Sequence, residues 1–445
     1  MTGSLRTLLV TLGSHGDLRP LLAIGVEAIR RGGAATMLTS PHFEPEARRR
    51  GIEVIPFGPP ESVRDWVSRR PATMDAMRGP LTMLRDVIAP RTASLVTATL
   101  EAIDRSGPDV VVAHQACIGV RWACERAGVP YVDAALSPCA WMNPRDTLSL
   151  TPWRGRAPTR RAVRFDVWIG RRLTGWLSDG PFNLARRSLG LRPVRHVWFD
   201  ELGASCMHLG LWSPSVRASL EGDPPDSIVT GFARLDDGHD EHEAHDGHDG
   251  HDGPLSGDLR RFLDAGSPPV VVTLGTAVTH AQPGFHAMVA EALSDTGVRV
   301  VLVTGDADYV PPRLPASVFG ASRVPFRALF PRASLVVHHG GIGTCAEAMA
   351  AGVPSLILPA AHDQFDNAAR CERLGVATTL HLRTVETTRL RKAVLEAAGN
   401  ATMRARAGEL AERVGGESGA AIAMDAIAAR LGRRLTRESR PACRC

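Results

Sequence analysis

Lysine is almost missing from this 445-residue chain: Lys392 is the only one, and arginine carries the rest of the positive charge. The formal net charge is a modest +5. No basic stripe interleaved with aromatics runs through the chain, which argues against nucleic acid as a partner. No apolar run approaches the ~20 residues needed to span a bilayer. The one at the N-terminus (MTGSLRTLLVTLGSHGD) is too short for a signal peptide and passes directly into a glycine loop. The eight cysteines contain no C-x-x-C pair and frame no small secreted domain, so they are expected reduced and mostly buried. Cys443 and Cys445 read as part of a frayed end rather than a metal or lipid site. G-x-G-x-x-G is also absent, which removes the dinucleotide fingerprint of an oxidoreductase. A cytoplasmic enzyme is the expectation these absences leave.

The length suits two domains of about 200 residues each. Both halves follow one grammar of short apolar runs alternating with helical stretches. In the first half, 7–13, 34–40, 52–58, 108–114 and 129–135 read as strands, with a helix over 20–33. In the second half, 268–276, 298–305, 334–341 and 353–360 read as strands. Strands alternating with helices predict parallel sheets covered on both faces. The expected fold class is α/β, two doubly wound, Rossmann-like domains facing each other across a cleft. Ligands should lie in that cleft, beyond the carboxyl ends of the strands.

Two stretches break the pattern. DDGHDEHEAHDGHDGHDG, 236–253, has no apolar residue except Ala244 and reads as a linker that cannot bury enough surface to fold. Residues 141–198 hold five of the eight tryptophans (Trp141, Trp153, Trp168, Trp176 and Trp198) among many arginines. Two readings stand for this insert. It forms an apolar acceptor wall or makes weak contact with a membrane surface, or its rings simply pack it onto its domain.

The densest chemistry is SLVVHHGGIGTCAEAMAAGVPSLILPAAHDQFDNA, from 334. A buried strand ends at His338-His339, glycines follow, and a helix is expected to begin near Thr344. Glycines let a backbone approach a ligand closely, and the N–H groups of a new helix favour a diphosphate. His339 adds a side-chain donor to a phosphate oxygen, strongest if protonated. Glu347, one turn into the helix, can accept bonds from ribose hydroxyls. Asp363 and Gln364 offer an acceptor and an amide suited to sugar hydroxyls.

This segment resembles the nucleotide-sugar signature of the family 1 glycosyltransferases, which have the GT-B fold. Plant members carry H-C-G-W-N-S-T-L-E and later D-Q-x-x-N, and bacterial members often carry H-H-G-G-x-G-T. Here the run is His339-Gly340-Gly341-Ile342-Gly343-Thr344-Cys345-Ala346-Glu347, then Asp363-Gln364-Phe365-Asp366-Asn367. The resemblance implies that His339, Gly341, Gly343 and Thr344 hold the diphosphate, that Glu347 takes the ribose, and that Asp363 and Gln364 take the sugar. It extends to Leu274-Gly275-Thr276, where the Thr276 hydroxyl would reach the donor phosphates. It also covers Arg323-Val324-Pro325-Phe326, where the backbone at Val324 would meet the base. The family's tryptophan platform for uracil is absent there, which leaves uridine and thymidine both open.

The N-terminal loop, Gly13-Ser14-His15-Gly16-Asp17, resembles the G-S-x-G-D loop of a branch that includes sterol, glycolipid and antibiotic glycosyltransferases. By that likeness Asp17 stands at the position of the general base, and Ser14 touches the donor phosphate. His15 is an alternative base or a neighbour that tunes Asp17, since an exposed Asp is a weak base at neutral pH. Asp17 also reads as a helix N-cap. Where many relatives carry a second Asp to orient a catalytic histidine, this chain has His114. A His114–Asp17 pair with exchanged roles is one reading, and a buried structural histidine is the other.

The implied partition is an N-terminal acceptor-binding domain, 1–215, with the insert 141–198, then an interdomain segment, 216–258. A C-terminal nucleotide-sugar-binding domain follows, 259–415, then a helix, 416–433, returning to the first domain, and a basic tail, 434–445. The implied reaction is inverting transfer from a UDP- or dTDP-sugar to a hydroxyl of a small apolar acceptor such as a polyketide, sterol or lipid. No metal and no cofactor beyond the nucleotide sugar are expected. Asp306-Ala307-Asp308 spells the D-x-D of metal-dependent transferases but reads as a polar loop. The rival readings are an epimerase-like GT-B enzyme and a catalytically inactive partner protein.

Overall fold

The computed structural model of the chain describes residues 4–149, 159–200, 207–235 and 255–438. The run 236–253, Trp153, Cys443 and Cys445 lie outside the described residues.

Two sheets, each parallel throughout, organise the chain. The first contains β1 (Arg6–Val10), β2 (Ala34–Thr39), β3 (Glu53–Pro56), β4 (Val110–His114), β5 (Tyr131–Ala135), β6 (Met207–Gly210) and β7 (Ser227–Val229). Its order is β3-β2-β1-β4-β5-β6-β7. The second contains β8 (Val270–Thr273), β9 (Val300–Val303), β10 (Val318–Ala321), β11 (Leu335–His338), β12 (Ser355–Ile357) and β13 (Ala377–Thr379), in the order β10-β9-β8-β11-β12-β13. The central strands are unbroken apolar runs because helices cover both faces: Leu8, Leu9, Val110, Val112, Val270, Val272, Leu335 and Val337 are fully buried. Strands β6, β7, β10 and β13 are additions to the sequence reading. At three or four residues each, neither run length nor period distinguishes them from loop.

In each sheet the order in which strands are added reverses at one adjacent pair, β1 with β4 and β8 with β11, and those switch points place the site. Register pairs Val10 with Ala113 across β1 and β4, so the loop at Gly13 lies beside His114. Register pairs Thr273 with His338 across β8 and β11, so Gly275 lies beside His339.

The first helix runs His15–Arg30, not from Pro20 as the sequence suggests. Ser14 is its N-cap, and the Asp17 carboxylate, at the third helical position, accepts from the Ser14 N–H at 2.7 Å and from its Oγ at 3.2 Å. Asp17 is therefore the acidic half of a capping box rather than the cap itself. That closure outweighs the misplaced Pro20, which lacks the N–H that would bond the Gly16 carbonyl. The last helix, Gly419–Glu438, runs past the expected boundary at 433 and packs against the first. Ala423, Met424, Ile427 and Leu431 enter the N-terminal core, and Arg31 pairs with Asp425 at 2.6 Å.

The two halves share a buried seam. Trp141 and Trp212, with centroids 4.5 Å apart, pack in one cluster with Cys345, Ala346 and Met349 of the second half. Beside it runs a fully hydrogen-bonded charge network. Arg370 binds Asp366 at 2.6 Å and Asp146 at 2.9 Å, Asp146 meets Arg217 at 3.1 Å, and the Ser149 N–H donates to Asp366 at 2.9 Å. Burial pushes the Asp146 carboxyl up, but Arg370 and Arg217 outweigh it and hold the group below the usual carboxylate range.

Removing Asp146 leaves Arg370 with Asp366 and Arg217 with Asp223, but strips each buried guanidinium of one hydrogen-bond acceptor. Asp146→Ala should cost about 1–3 kcal/mol, measured by urea unfolding at neutral pH. Because the folded pKa is depressed, this contribution is present above the unfolded value of about 4 and fades as pH falls below it. The parent and Asp146→Ala should therefore converge in acid; a gap that persists there would contradict the assignment.

Candidate active site

The turn after β11 is built by glycines that leave room for one histidine. Gly340 adopts φ +89°, where a Cβ would lie 2.8 Å from Ile357. Gly341 caps the helix Ile342–Ala350, which begins ahead of the expected start near Thr344. Its first internal bond runs from the Cys345 N–H to the Gly341 carbonyl, so the N–H groups of Ile342, Gly343 and Thr344 have no partner within the helix. The His339 ring sits in a slot between two glycines. A Cβ on Gly275 (φ +68°) would lie 2.7 Å from its Cε1, and one on Gly341 would lie 2.5 Å from its Nε2. A Cβ on Gly343 would meet nothing within 4 Å, so the ground before the helix is open.

Burial pulls His339 down to about 4, so it is a neutral donor in the bare protein rather than the imidazolium that would bind phosphate best. Its buried Nδ1 has no hydrogen-bond partner among the described residues. His338 is structural: its Nδ1 accepts from the Gly340 N–H at 3.1 Å and fixes the turn. Thr276 is the second residue of the short helix Gly275–Ala281 after β8, against Gly305. Val324 is buried in the core of its domain, which leaves its backbone as the part available to a base. Glu347 lies 3.7 Å from Arg234, a residue the sequence reading does not single out.

The helix Gln364–Leu374 carries the next group. Gln364 spends its amide oxygen on the Ala360 and Ala361 N–H groups, at 2.8 and 3.1 Å, which leaves the NH₂ as donor. Asn367 is the hub. Its amide nitrogen donates to Asp363 at 2.8 Å and to the Gly340 carbonyl at 3.0 Å, and its oxygen accepts from Ser137 of the first domain at 2.9 Å. Burial, with a smaller push from Asp17, raises Asp363 to about 6; the Asn367 bond works the other way.

Facing this is the N-terminal loop. Gly13 is required because a Cβ there would fall 1.9 Å from Asp17 Oδ2. Asp17 Oδ1 lies 3.6 Å from His114 Nε2, ion-pair range and short of a formed hydrogen bond. The Ala116 N–H donates to His114 Nδ1 at 3.3 Å, so the neutral ring carries its proton on Nε2, aimed at Asp17. His15 turns elsewhere: its Nε2 is 3.6 Å from Glu46, and its ring meets Phe43 edge-on at 5.0 Å. A separate cavity of about 20 Å³, lined by Gln115, Ile118, Arg121, Tyr131, Asp133, Ala140 and Trp198, holds water at most.

His362, which the sequence does not mark, reaches across the cleft. It holds a left-handed backbone (φ +57°), and its ring hydrogen-bonds the Thr73 backbone beside Gly79. Burial lowers its pKa, an effect that Asp17's charge and Thr73 partly offset. The D-x-D residues do a similar job from the other side. Arg64 of the N-terminal domain pairs with Asp308 at 2.5 Å and with Asp306 at 3.7 Å. Among the described residues no group of three or more His, Cys, Asp or Glu could hold a metal ion.

Comparison with known proteins agrees with this geometry. Residues 288–427 match the family described as Erythromycin biosynthesis protein CIII-like, C-terminal domain. The chain is 30% identical over 380 residues to glycosyltransferase GtfE of Amycolatopsis orientalis, covering 84% of this chain and 85% of that protein. It is 29% identical to the O-mycaminosyltylonolide 6-deoxyallosyltransferase of Streptomyces fradiae, over 93% and 95% of the two chains. Glycosyltransferase VinC, solved in complex with DTDP, superposes with a TM-score of 0.65 at 21% identity, over 96% of this chain and all of that one. The fold and the facing switch points define a GT-B protein. The chain belongs to the family 1 glycosyltransferases and is a nucleotide-sugar-dependent transferase.

The slot around His339 yields a prediction. Gly275→Ala adds both a strained φ and a clash with the ring, so His339 must move. Nucleoside-diphosphate affinity by calorimetry should fall at least about tenfold, which is 1.4 kcal/mol, in protein that still melts cooperatively. Unchanged affinity would remove His339 from the donor site.

Proposed function

We propose that the chain transfers a sugar, with inversion, from a dTDP- or UDP-sugar to a hydroxyl of a small apolar acceptor, with Asp17 as the general base. One observation carries this reading: Asp17, oriented by Ser14 and His114, faces Asp363 and the glycine turn from the opposite domain. VinC was solved with DTDP, and the Streptomyces fradiae relative is named for a tylonolide acceptor; both support this donor and acceptor class.

Asp17 takes the acceptor hydroxyl proton as that oxygen bonds to the anomeric carbon, and the bond from that carbon to the diphosphate oxygen breaks. His114, with its proton on Nε2, orients Asp17 and steadies its charge before transfer. Negative charge then grows on the departing diphosphate. The N–H groups of Ile342, Gly343 and Thr344 face it with the helix dipole, and His339 and the Thr276 hydroxyl donate to it. Glu347 takes the ribose, the backbone at Val324 takes the base, and Asp363 with the Gln364 amide holds the sugar. Ser14, spent on Asp17, reaches the phosphates only if that bond is shared. No metal is needed, because fixed donors already surround the leaving group.

Product analysis tests the reading. Incubation with UDP- and dTDP-sugars and a panel of hydroxylated apolar compounds should give a glycoside whose anomeric configuration is opposite to the donor's, by NMR, with the rate intact in excess EDTA. Retained configuration, or activity lost to EDTA and restored by a divalent metal, would overturn it.

The raised pKa of Asp363 gives a second test. Only the ionised carboxylate accepts two sugar hydroxyls, so the preference for nucleotide sugar over bare nucleoside diphosphate should hold above about pH 6 and shrink below it. Asp363→Asn should flatten that dependence. An equally steep profile in the variant would place the titrating group elsewhere.

A further inference from the structure

The helix Arg160–Ser188 of the Trp-rich insert is 29 residues long, about 43 Å at 1.5 Å per residue. One face packs inward through Val163, Gly175, Ser178, Phe182 and Ala185, with Phe182 6.0 Å from Trp122. The opposite face is apolar and bare. Phe165, Trp168, Ile169, Leu173, Trp176 and Leu184 account for six of the ten exposed large hydrophobic residues among those described, and Trp176 is 83% exposed. Their spacing of three, four, seven and eight residues puts them on one stripe.

Charge decides what covers this stripe. The helix carries seven arginines against two aspartates, and Arg160, Arg161, Arg164, Arg172 and Arg187 are exposed along it. One aspartate, Asp179, is already engaged by the His196 and Val197 N–H groups at 2.7 and 3.0 Å. Arg172 lies 4.8 Å over the Trp168 ring, and Phe165 stacks on the same ring at 5.9 Å, so the aromatic and cationic groups are interleaved. A second copy of the chain seated on this face would bring arginines against arginines across a two-fold axis, a repulsive arrangement. An anionic surface with an apolar interior satisfies both features at once. No described helix is long and apolar enough to cross a membrane, so such a helix lies on the surface and does not span it.

We propose that the exposed face of Arg160–Ser188 docks the enzyme on an anionic lipid bilayer, with the Trp and Phe rings in the headgroup boundary and the arginines on the lipid phosphates. This contact does not depend on the donor and acceptor assigned above. The tryptophans of the insert divide accordingly: Trp141 packs in the interdomain seam, while Trp168 and Trp176 are exposed on the helix.

Co-sedimentation of the full chain with vesicles is the test. Vesicles of phosphatidylcholine containing phosphatidylglycerol should bind it at least about tenfold more tightly than phosphatidylcholine alone at low salt, with most of the difference lost in high salt. The triple variant Phe165→Ser, Trp168→Ser, Trp176→Ser and the quadruple variant Arg160→Gln, Arg161→Gln, Arg164→Gln, Arg172→Gln should each lose about tenfold. Both change exposed positions and should keep parental transfer to a water-soluble acceptor. Brominated lipid should quench tryptophan fluorescence in the parent and not in the triple variant. Equal binding to both vesicle types, or no binding to either, overturns the proposal. So does a parental dimer that the triple variant dissolves, since the face then belongs to a second copy; a stable protein complex through the same residues would count against the bilayer equally.

Discussion

A buried charge pair crosses the seam between the two domains. Arg370 from the second domain reaches Asp146 from the first, and each is satisfied further by Asp366 and Arg217. Such a pair brings little net stability relative to apolar packing, but it tolerates no loose fit, since a misplaced charge there is left without water or partner. It therefore fixes how the two domains face each other. Asn367, one turn ahead of Arg370 on the same helix, uses that fixed orientation. It ties Asp363, the glycine turn and Ser137 of the opposite domain in one set of bonds.

From that seam the site is organised in two half-sets, each at a switch point. On the donor side, glycines are placed where a side chain would collide with His339 or Gln364, and one glycine, Gly343, opens to the cleft. On the acceptor side, Gly13 clears the space into which Asp17 folds. The capping bonds that start the first helix are the same bonds that aim the Asp17 carboxylate, so helix nucleation and orientation of the proposed base are one local event. Arg64 with Asp308 and Asp306, and His362 with Thr73, then hold the two faces together around the site.

Much of this was legible in the chain. The central strands announce themselves as unbroken apolar runs, and the histidine–glycine turn and D-Q-x-x-N carry their chemistry in their spacing. Local sequence does not encode which residues meet through space. Asp17 and His114 are 97 positions apart, and the pairing follows only once β1 and β4 are adjacent. His15, nearer in sequence and the more natural base on paper, points to Glu46 instead. His362 and Arg234 carry no periodic or motif signal, the D-Q-x-x-N spacing marks Asn367 but not its bond to Ser137, and the D-x-D pair, a polar loop in the sequence, meets Arg64 of the opposite domain. Pro20 misled the start of the first helix because the rule for proline at a helix N-terminus is local, whereas Ser14 and Asp17 close the turn ahead of it.

The central claim is that Asp17 removes the acceptor proton and that His114 acts through it. The pH profile of kcat/KM for Asp17→Asn and His114→Ala beside the parent, at matched acceptor, tests this most directly. Asp17→Asn should lower turnover by about 10²–10⁴-fold at every pH with nucleoside-diphosphate affinity unchanged. His114→Ala should lower turnover less than Asp17→Asn and keep the acid limb of the profile, because the base survives without its partner. Near-parental turnover in Asp17→Asn, or an acid limb abolished only by His114→Ala or His15→Ala, would contradict the account and move the base to that histidine.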